Sequence, residues 1–197
     1  MTARVAAVVL AAGAGRRMGF RPKALLTLDD ETFLARVVRT CRGGGCDEIW
    51  VVAPPAPPAV LALTRLLRVR AIVNPDPGRG MFSSVQLGVG EVDRTKKEAT
   101  DCLVFPVDHP RVETATVRAL LAARRQASAT VWLRPVFNAR GGHPILIPGS
   151  AASALLGCDP RVSLRDALRD IGLEPFDVPV DDSGILANVN VPEDLTE

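Results

Sequence analysis

The residues best suited to chemistry form a glycine-rich run near the N-terminus, Leu10-Ala11-Ala12-Gly13-Ala14-Gly15-Arg16-Arg17-Met18-Gly19, with Pro22-Lys23 just beyond. Glycines let successive backbone N–H groups turn toward one anion without interference from a Cβ, and Arg17 and Lys23 carry charge that neutralises phosphate oxygens. The combination points to polyphosphate binding; the plainer alternative is a glycine turn with surface arginines. Two familiar glycine loops do not fit. A dinucleotide fingerprint needs a third glycine where Met18 stands, and an acidic residue closing the second strand where the chain reads Val52-Ala53-Pro54. An ATPase P-loop ends in Gly-Lys-Ser or Gly-Lys-Thr, whereas Lys23 lies between Pro22 and Ala24.

A second group of candidates is polar. Asp108 follows the apolar run Leu103 to Val107 and precedes His109-Pro110, so its carboxylate is expected at the same sheet edge as the glycine loop. A hard oxygen there can hold Mg²⁺ against phosphates, and the competing role is to cap a helix starting near Val112. The strand-end position favours the metal. Asn74 and the run Met81 to Gly88, with the hydroxyls of Ser83 and Ser84, leave a strand and open a helix whose first amides suit a base, ribose or phosphate; capping is an equal role for Ser83. His109 reads as positional or ligand-contacting. His143, in Gly141-Gly142-His143-Pro144, suits the lining of a ligand pocket better than acid–base work. Arg161, Arg165 and Asp166 lie beside an amphipathic pattern of Leu164, Leu168 and Ile171, where the arginines face either a ligand phosphate or solvent.

The elements that must position these residues alternate. Apolar, β-branched runs predict strands at Arg4 to Leu10, Glu48 to Ala53, Val69 to Asn74, Cys102 to Val107 and Thr130 to Phe137. Helical spacing falls between them, at Thr32 to Cys41, Val60 to Leu67, Val85 to Val92 and Val112 to Ala123. Later come a short strand at Ile145 to Ile147, a helix at Ser163 to Ile171, and strands at Phe176 to Val180 and Ile185 to Asn190. Strands separated by helices imply right-handed crossovers and a mostly parallel sheet covered on both faces, an α/β fold.

A length of 197 residues with 47% hydrophobic content suits one domain spanning residues 1–197. The 24 basic and 22 acidic side chains nearly cancel, which argues against a nucleic-acid or membrane partner. No targeting or membrane-spanning pattern is seen, so a cytoplasmic protein is expected. Cys41, Cys46, Cys102 and Cys158 lack metal-ligand spacing and read as reduced, structural thiols.

Taken in order, Leu10 to Gly19 with Pro22-Lys23, Asn74 with Gly80 to Ser84 and Gly88, Pro106 to Pro110, Gly142-His143-Pro144 and Asn188-Val189-Asn190-Val191-Pro192-Glu193-Asp194-Leu195 resemble the molybdenum cofactor cytidylyltransferases. These belong to the nucleotidyltransferases of Rossmann-like fold. The resemblance implies a three-layer α/β/α sandwich in which Leu10, Ala11, Ala12, Gly13, Gly15, Arg17, Lys23, Asn74, Gly80, Ser83 and Ser84 bind a nucleoside triphosphate, CTP favoured. It implies Arg17, Lys23 and Asp108 as catalytic residues, and His109, Gly142, His143, Arg161 and Asn188 as contacts of a phosphorylated acceptor, molybdopterin or its molybdenum-loaded form. Mg²⁺ would sit on Asp108 and on Asn190, whose amide oxygen stands where the family often has a carboxylate. A molybdenum enzyme or its maturation factor would then receive the product. The alternatives are a guanylyl or sugar-phosphate nucleotidylyltransferase and a non-catalytic nucleotide-binding module; a nicotinamide dehydrogenase is disfavoured by the missing fingerprint.

Overall fold

The computed structural model describes residues 4–13, 22–95 and 100–189. Its strands are β1 (Val5–Leu10), β2 (Thr27–Leu28), β3 (Glu31–Thr32), β4 (Glu48–Ala53), β5 (Arg70–Val73), β6 (Asp101–Pro106), β7 (Val131–Phe137), β8 (Arg140–Gly141), β9 (Ile145–Ile147) and β10 (Glu174–Pro179). Its helices are α1 (Phe33–Gly44), α2 (Pro58–Leu66), α3 (Met81–Thr95), α4 (Thr114–Arg124), α5 (Ala152–Leu156) and α6 (Leu164–Asp170). The main sheet runs β10-β7-β9-β6-β1-β4-β5, with β8 paired to β7 and a separate β2-β3 hairpin. Only β9 and the short β8 pair antiparallel in that sheet; the other ladders are parallel.

The central strand explains the layers. All six residues of β1 are buried, and because successive side chains point to opposite faces they divide between two cores. Val5, Ala7 and Val9 pack with Phe33, Val37 and Cys41 of α1, Val60 of α2 and Val117 and Leu120 of α4. Ala6, Val8 and Leu10 pack with Phe82, Val85 and Val89 of α3, Leu155 of α5 and Leu164 and Leu168 of α6. The result is the α/β/α sandwich with a mostly parallel centre. Among the described residues no helix is long and apolar enough to cross a membrane.

One expected strand is absent. Of the span Ile185 to Asn190, the described residues 185–189 do not join the sheet: Ser183–Leu186 is a 3₁₀ turn, and residues 187–189 continue as irregular chain. Asp182 sets this course, because its Oδ1 accepts the Gly184 N–H at 2.8 Å and starts the turn. The chain's hydrogen bonds then go to loops, with Val189 N–H donating to the Asp108 carbonyl at 2.8 Å. The β2-β3 hairpin and α5 carry no sequence signal, since both are too short for a periodic pattern.

Candidate active site

The site begins where β1 and β6 end together. Leu10 lies opposite Pro106 in register, and Val107 N–H extends the ladder to the Leu10 carbonyl at 3.1 Å. From β1 the chain crosses to β4 and β5 on one side and returns with β6 on the other. The carboxyl ends of β1 and β6 therefore flank the switch point of the sheet, where an open α/β fold leaves a crevice for a ligand.

Lys23 is brought there by a short 3₁₀ turn, Lys23–Leu25, anchored by the fully buried Ala24. Its Nζ donates to Asp108 Oδ2 at 2.9 Å, with the two side chains 15% and 24% exposed. Arg36 of α1 braces both approaches. It donates to the Leu28 carbonyl at 2.9 Å, in the hairpin after Lys23, and to the Pro110 carbonyl at 3.3 Å, just past Asp108.

A cleft of about 190 Å³ opens beside this pair, walled by Leu10, Ala12 and Gly13 from the β1 loop, Gly80, Met81 and Ser84 from the start of α3, and Asp108. Ala11 is turned into the core beneath, with its N–H donating to the Val52 carbonyl at 2.9 Å. Asn74 and Ser83 are both buried and line an adjoining cleft with Arg79. Asn74 Nδ2 donates to Ser84 Oγ at 2.9 Å, and Ser83 Oγ donates to the Gly80 carbonyl at 2.8 Å. These two residues shape the entrance to α3, while Gly80 and Ser84 face the Asp108 cleft. Gly15, Arg17 and Asn190 lie outside the described residues.

A second cleft, of about 280 Å³, meets the first at Met81, which lines both. It contains Gly142, His143, Trp132, Arg134 and Arg165. Gly142 and His143 are tied to the 3₁₀ turn Ser183–Leu186, since His143 N–H donates to the Ile185 carbonyl at 3.1 Å and a Cβ on Gly142 would collide with that same carbonyl. The turn in turn depends on Asp182, a buried carboxylate whose Oδ2 accepts Glu113 N–H at 2.9 Å and the Thr116 hydroxyl.

The ring of His143 approaches that of His109 to 5.0 Å between centroids, and both Nδ1 atoms are buried without a hydrogen-bond partner among the described residues. Burial pushes His143 down to about 4, His109 adds to that, and the Asp108 charge opposes it. Burial also lowers His109, against the pull of Asp108 and a hydrogen bond to the Gly184 backbone. Both imidazoles are neutral at neutral pH, so neither supplies charge to a phosphate. His109 is buried and lines neither cleft, Asn188 is exposed and lines neither, and Arg161 points to solvent in an ion pair with Asp159 at 2.7 Å.

The second cleft is reached instead by Arg165 and by Arg134, which sequence reasoning passed over although a charged residue within the apolar run Thr130 to Phe137 was a visible signal. Asp182 and Arg36 had no such signal, because their partners are backbone groups brought near by the fold. Among the described residues, no three His, Cys, Asp or Glu side chains gather as a metal cluster. Among the described residues lining the first cleft, Asp108 supplies the carboxylate. A single carboxylate of this kind fits a hard divalent ion that a ligand's own phosphates help to hold.

Comparison with known proteins bears on the family and the fold. Residues 7–175 match the family described as MobA-like NTP transferase domain. Nicotine blue oxidoreductase of Paenarthrobacter nicotinovorans is 35% identical over 170 residues, covering 82% of this chain and 81% of that protein. The 2-C-methyl-D-erythritol 4-phosphate cytidylyltransferase of Saccharopolyspora erythraea is 28% identical over 194 residues, covering 94% and 86%. Among solved structures, Rv0371c of Mycobacterium tuberculosis superposes with a TM-score of 0.82 at 24% identity over 98% of this chain and 96% of that one. A manganese complex of the same protein gives 0.77 at 23% identity, over 100% and 97% of the two chains. Molybdopterin-guanine dinucleotide biosynthesis protein A of Archaeoglobus fulgidus gives 0.72 at 19% identity, over 97% and 95%. These solved structures share the fold, and the sequence matches support nucleotidyltransferase activity on it. With more than four-fifths of its length inside the matched region, the chain belongs to the MobA-like NTP transferase family.

Proposed function

We propose that this protein transfers CMP from CTP to the terminal phosphate of molybdopterin, or of its molybdenum-loaded form, and releases pyrophosphate. The observation that carries the reading is the Lys23 to Asp108 contact of 2.9 Å at the mouth of the cleft beside Gly13, which joins a cation for phosphate oxygens to a carboxylate for a metal ion. The acceptor phosphate oxygen forms a bond to the α-phosphorus, the bond from that phosphorus to the α–β bridging oxygen breaks, and pyrophosphate leaves with the electron pair. No proton has to move, which agrees with a neutral His109 buried off both clefts and a neutral His143 lining the acceptor side.

The chain's contribution is positioning and charge. The backbone at Ala12 and Gly13, with Arg17, holds the triphosphate; Lys23 neutralises its oxygens; the Met81 junction aligns the acceptor from the second cleft. Asp108 would hold a divalent ion, Mg²⁺ with Asn190 as a further ligand, and such an ion supplies charge neutralisation across the phosphates. Nucleotidyltransferases of this fold commonly use divalent metals.

The preference for cytidine rests on the Ala11-Ala12-Gly13 start and on the similarity to a cytidylyltransferase. Guanylyl transfer and sugar-phosphate acceptors are the nearest alternatives, and a molybdenum enzyme or its maturation factor is the expected recipient of the product. The test is pyrophosphate release with molybdopterin, glucose 1-phosphate and 2-C-methyl-D-erythritol 4-phosphate across four nucleoside triphosphates. Release with CTP and molybdopterin is expected, and release only with a sugar phosphate or only with GTP would reassign the substrate.

A second reading is favoured by the 35% identity to a protein named as an oxidoreductase. It predicts binding of a nicotinamide dinucleotide and no pyrophosphate from any triphosphate. A thermal-shift comparison of NADPH with CTP and Mg²⁺ separates the two.

A further inference from the structure

The second cleft has a built wall that the transfer chemistry leaves unexplained. Arg134 of β7 and Asp177 of β10 are register partners on adjacent parallel strands, and so project on one face of the sheet. Arg134 Nε donates to Asp177 Oδ1 at 2.6 Å and its Nη2 donates to Oδ2 at 3.3 Å, a two-point grip that fixes the plane of the guanidinium. The group also lies over the Trp132 ring, 5.9 Å from its centroid. Gly141 completes the seat: a Cβ there would come within 2.9–3.1 Å of Arg134 Cδ, Nε and Cζ.

This end of the cleft lies away from the cleft beside Asp108. Met81 and His143 mark the near end, one by lining both clefts and the other by standing against His109 next to Asp108. Arg134 is on β7, which β9 separates from β6. Among the described lining residues there is no carboxylate and no amide side chain, whereas Arg134 and Arg165 offer only donors among apolar Trp132, Ile145 and Leu168. A polyhydroxylated body would find few acceptors for its hydroxyls there, while a flat, apolar body with oxygens or ring nitrogens along one edge would be matched.

We propose that Arg134, gripped by Asp177 and seated by Gly141, is the acceptor-selecting residue, hydrogen-bonding a carbonyl or ring-nitrogen edge of the acceptor body at the end opposite the reacting phosphate. The proposal rests on reading this cleft as the acceptor site. Asp177 holds Arg134 without lining the cleft, and is a positioning residue. Guanidinium held this way loses little freedom when the ligand arrives, so disturbing its seat weakens the acceptor even with the charge retained.

Binding is read from Trp132, one of two tryptophans in the chain, in a Trp50→Phe background that leaves it as the sole fluorophore. Molybdopterin is titrated as the probe, with glucose 1-phosphate beside it. Arg134→Gln is expected to raise the molybdopterin Kd about tenfold, the size of one lost charge-assisted hydrogen bond. Asp177→Asn and Gly141→Ala are expected to raise it about threefold, and all three leave CTP affinity and the melting temperature near those of the parent. In turnover, Arg134→Gln raises the acceptor KM without lowering kcat. Unchanged molybdopterin affinity in Arg134→Gln, or an equal loss of CTP affinity, overturns the role while leaving the transferase reading intact. A parent protein that binds neither molybdopterin nor glucose 1-phosphate overturns the acceptor reading of the cleft, and the role of Arg134 with it.

Discussion

Lys23 and Asp108 stand 85 positions apart in sequence, yet their side chains meet at 2.9 Å at the carboxyl edge of the sheet. One arrives on a 3₁₀ turn after the first strand's loop, the other on the turn after β6, and the parallel pairing of β1 with β6 brings both to one edge. Asp108→Asn and Lys23→Met are each expected to lower kcat by about a hundredfold or more, in line with removal of one preorganised electrostatic contact. Because the pair is partly open to solvent, stability should change by no more than about 1 kcal/mol. Combined, the two substitutions should cost little more than one alone. Steady-state pyrophosphate release and urea unfolding of the three variants check this, and near-normal turnover in either single variant removes the role assigned to it.

His143 predicts a pH window for stability. Its folded value is pushed down to about 4 from an ordinary 6.5, so the unfolded chain takes up the proton first as the medium acidifies. The stabilisation is complete above pH 6.5, declines as pH falls from there toward 4, and is flat below. The slope from this one group approaches about 1.4 kcal/mol per pH unit, on the order of 3 kcal/mol in total. Urea unfolding between pH 4 and 7 should show His143→Gln with a shallower decline than the unsubstituted protein; parallel curves would contradict the burial assigned to this ring.

Asp182 is 4% exposed and accepts three hydrogen bonds, from Glu113 N–H, the Thr116 hydroxyl and Gly184 N–H. Asp182→Ala leaves those donors unmet and frees the turn that supports His143, so a loss of about 3 kcal/mol is expected. Thr116→Ala removes one of the three and should cost about 1 kcal/mol. Equal effects of the two in chemical denaturation would mean that Asp182 does not anchor the turn.

Ser83 and Ser84 are adjacent but face different surroundings. Ser84 lines the Asp108 cleft, while Ser83 lines the neighbouring one and binds the Gly80 carbonyl. Ser84→Ala should raise the KM for triphosphate several-fold, and Ser83→Ala should act mainly on stability, by about 1 kcal/mol. The reverse pattern would place the triphosphate in the cleft beside Arg79.

The contrast between elements shows what the sequence makes legible. The six-residue apolar run of β1 and the helical spacing in α1 and α4 announce themselves, because burial on two faces or one stripe needs a repeating pattern. Asp108 was readable from its place after such a run. Ile185 to Asn190 reads as a strand, and Ile185 and Val189 are buried in the same core as Val9 and Phe105, but the backbone bonds of residues 185–189 go to loops, under a course set by Asp182 and by the Asp108 carbonyl. Arg161 and Arg165 looked equivalent in sequence, and only the packing of α6 sends Arg165 into the cleft while Asp159 holds Arg161 outside it. Tertiary pairing of this kind, like the seat of Arg134 on Gly141 and Asp177, leaves no periodic trace.

The most direct test is a crystal of the protein grown with Mn²⁺ and a non-hydrolysable CTP analogue, with the ion located by its anomalous signal. The ion is expected on an Asp108 carboxylate oxygen, beside a triphosphate laid along Ala12 and Gly13 with Lys23 Nζ at its oxygens. An ion and triphosphate bound elsewhere, with the Lys23 to Asp108 contact undisturbed, would contradict it.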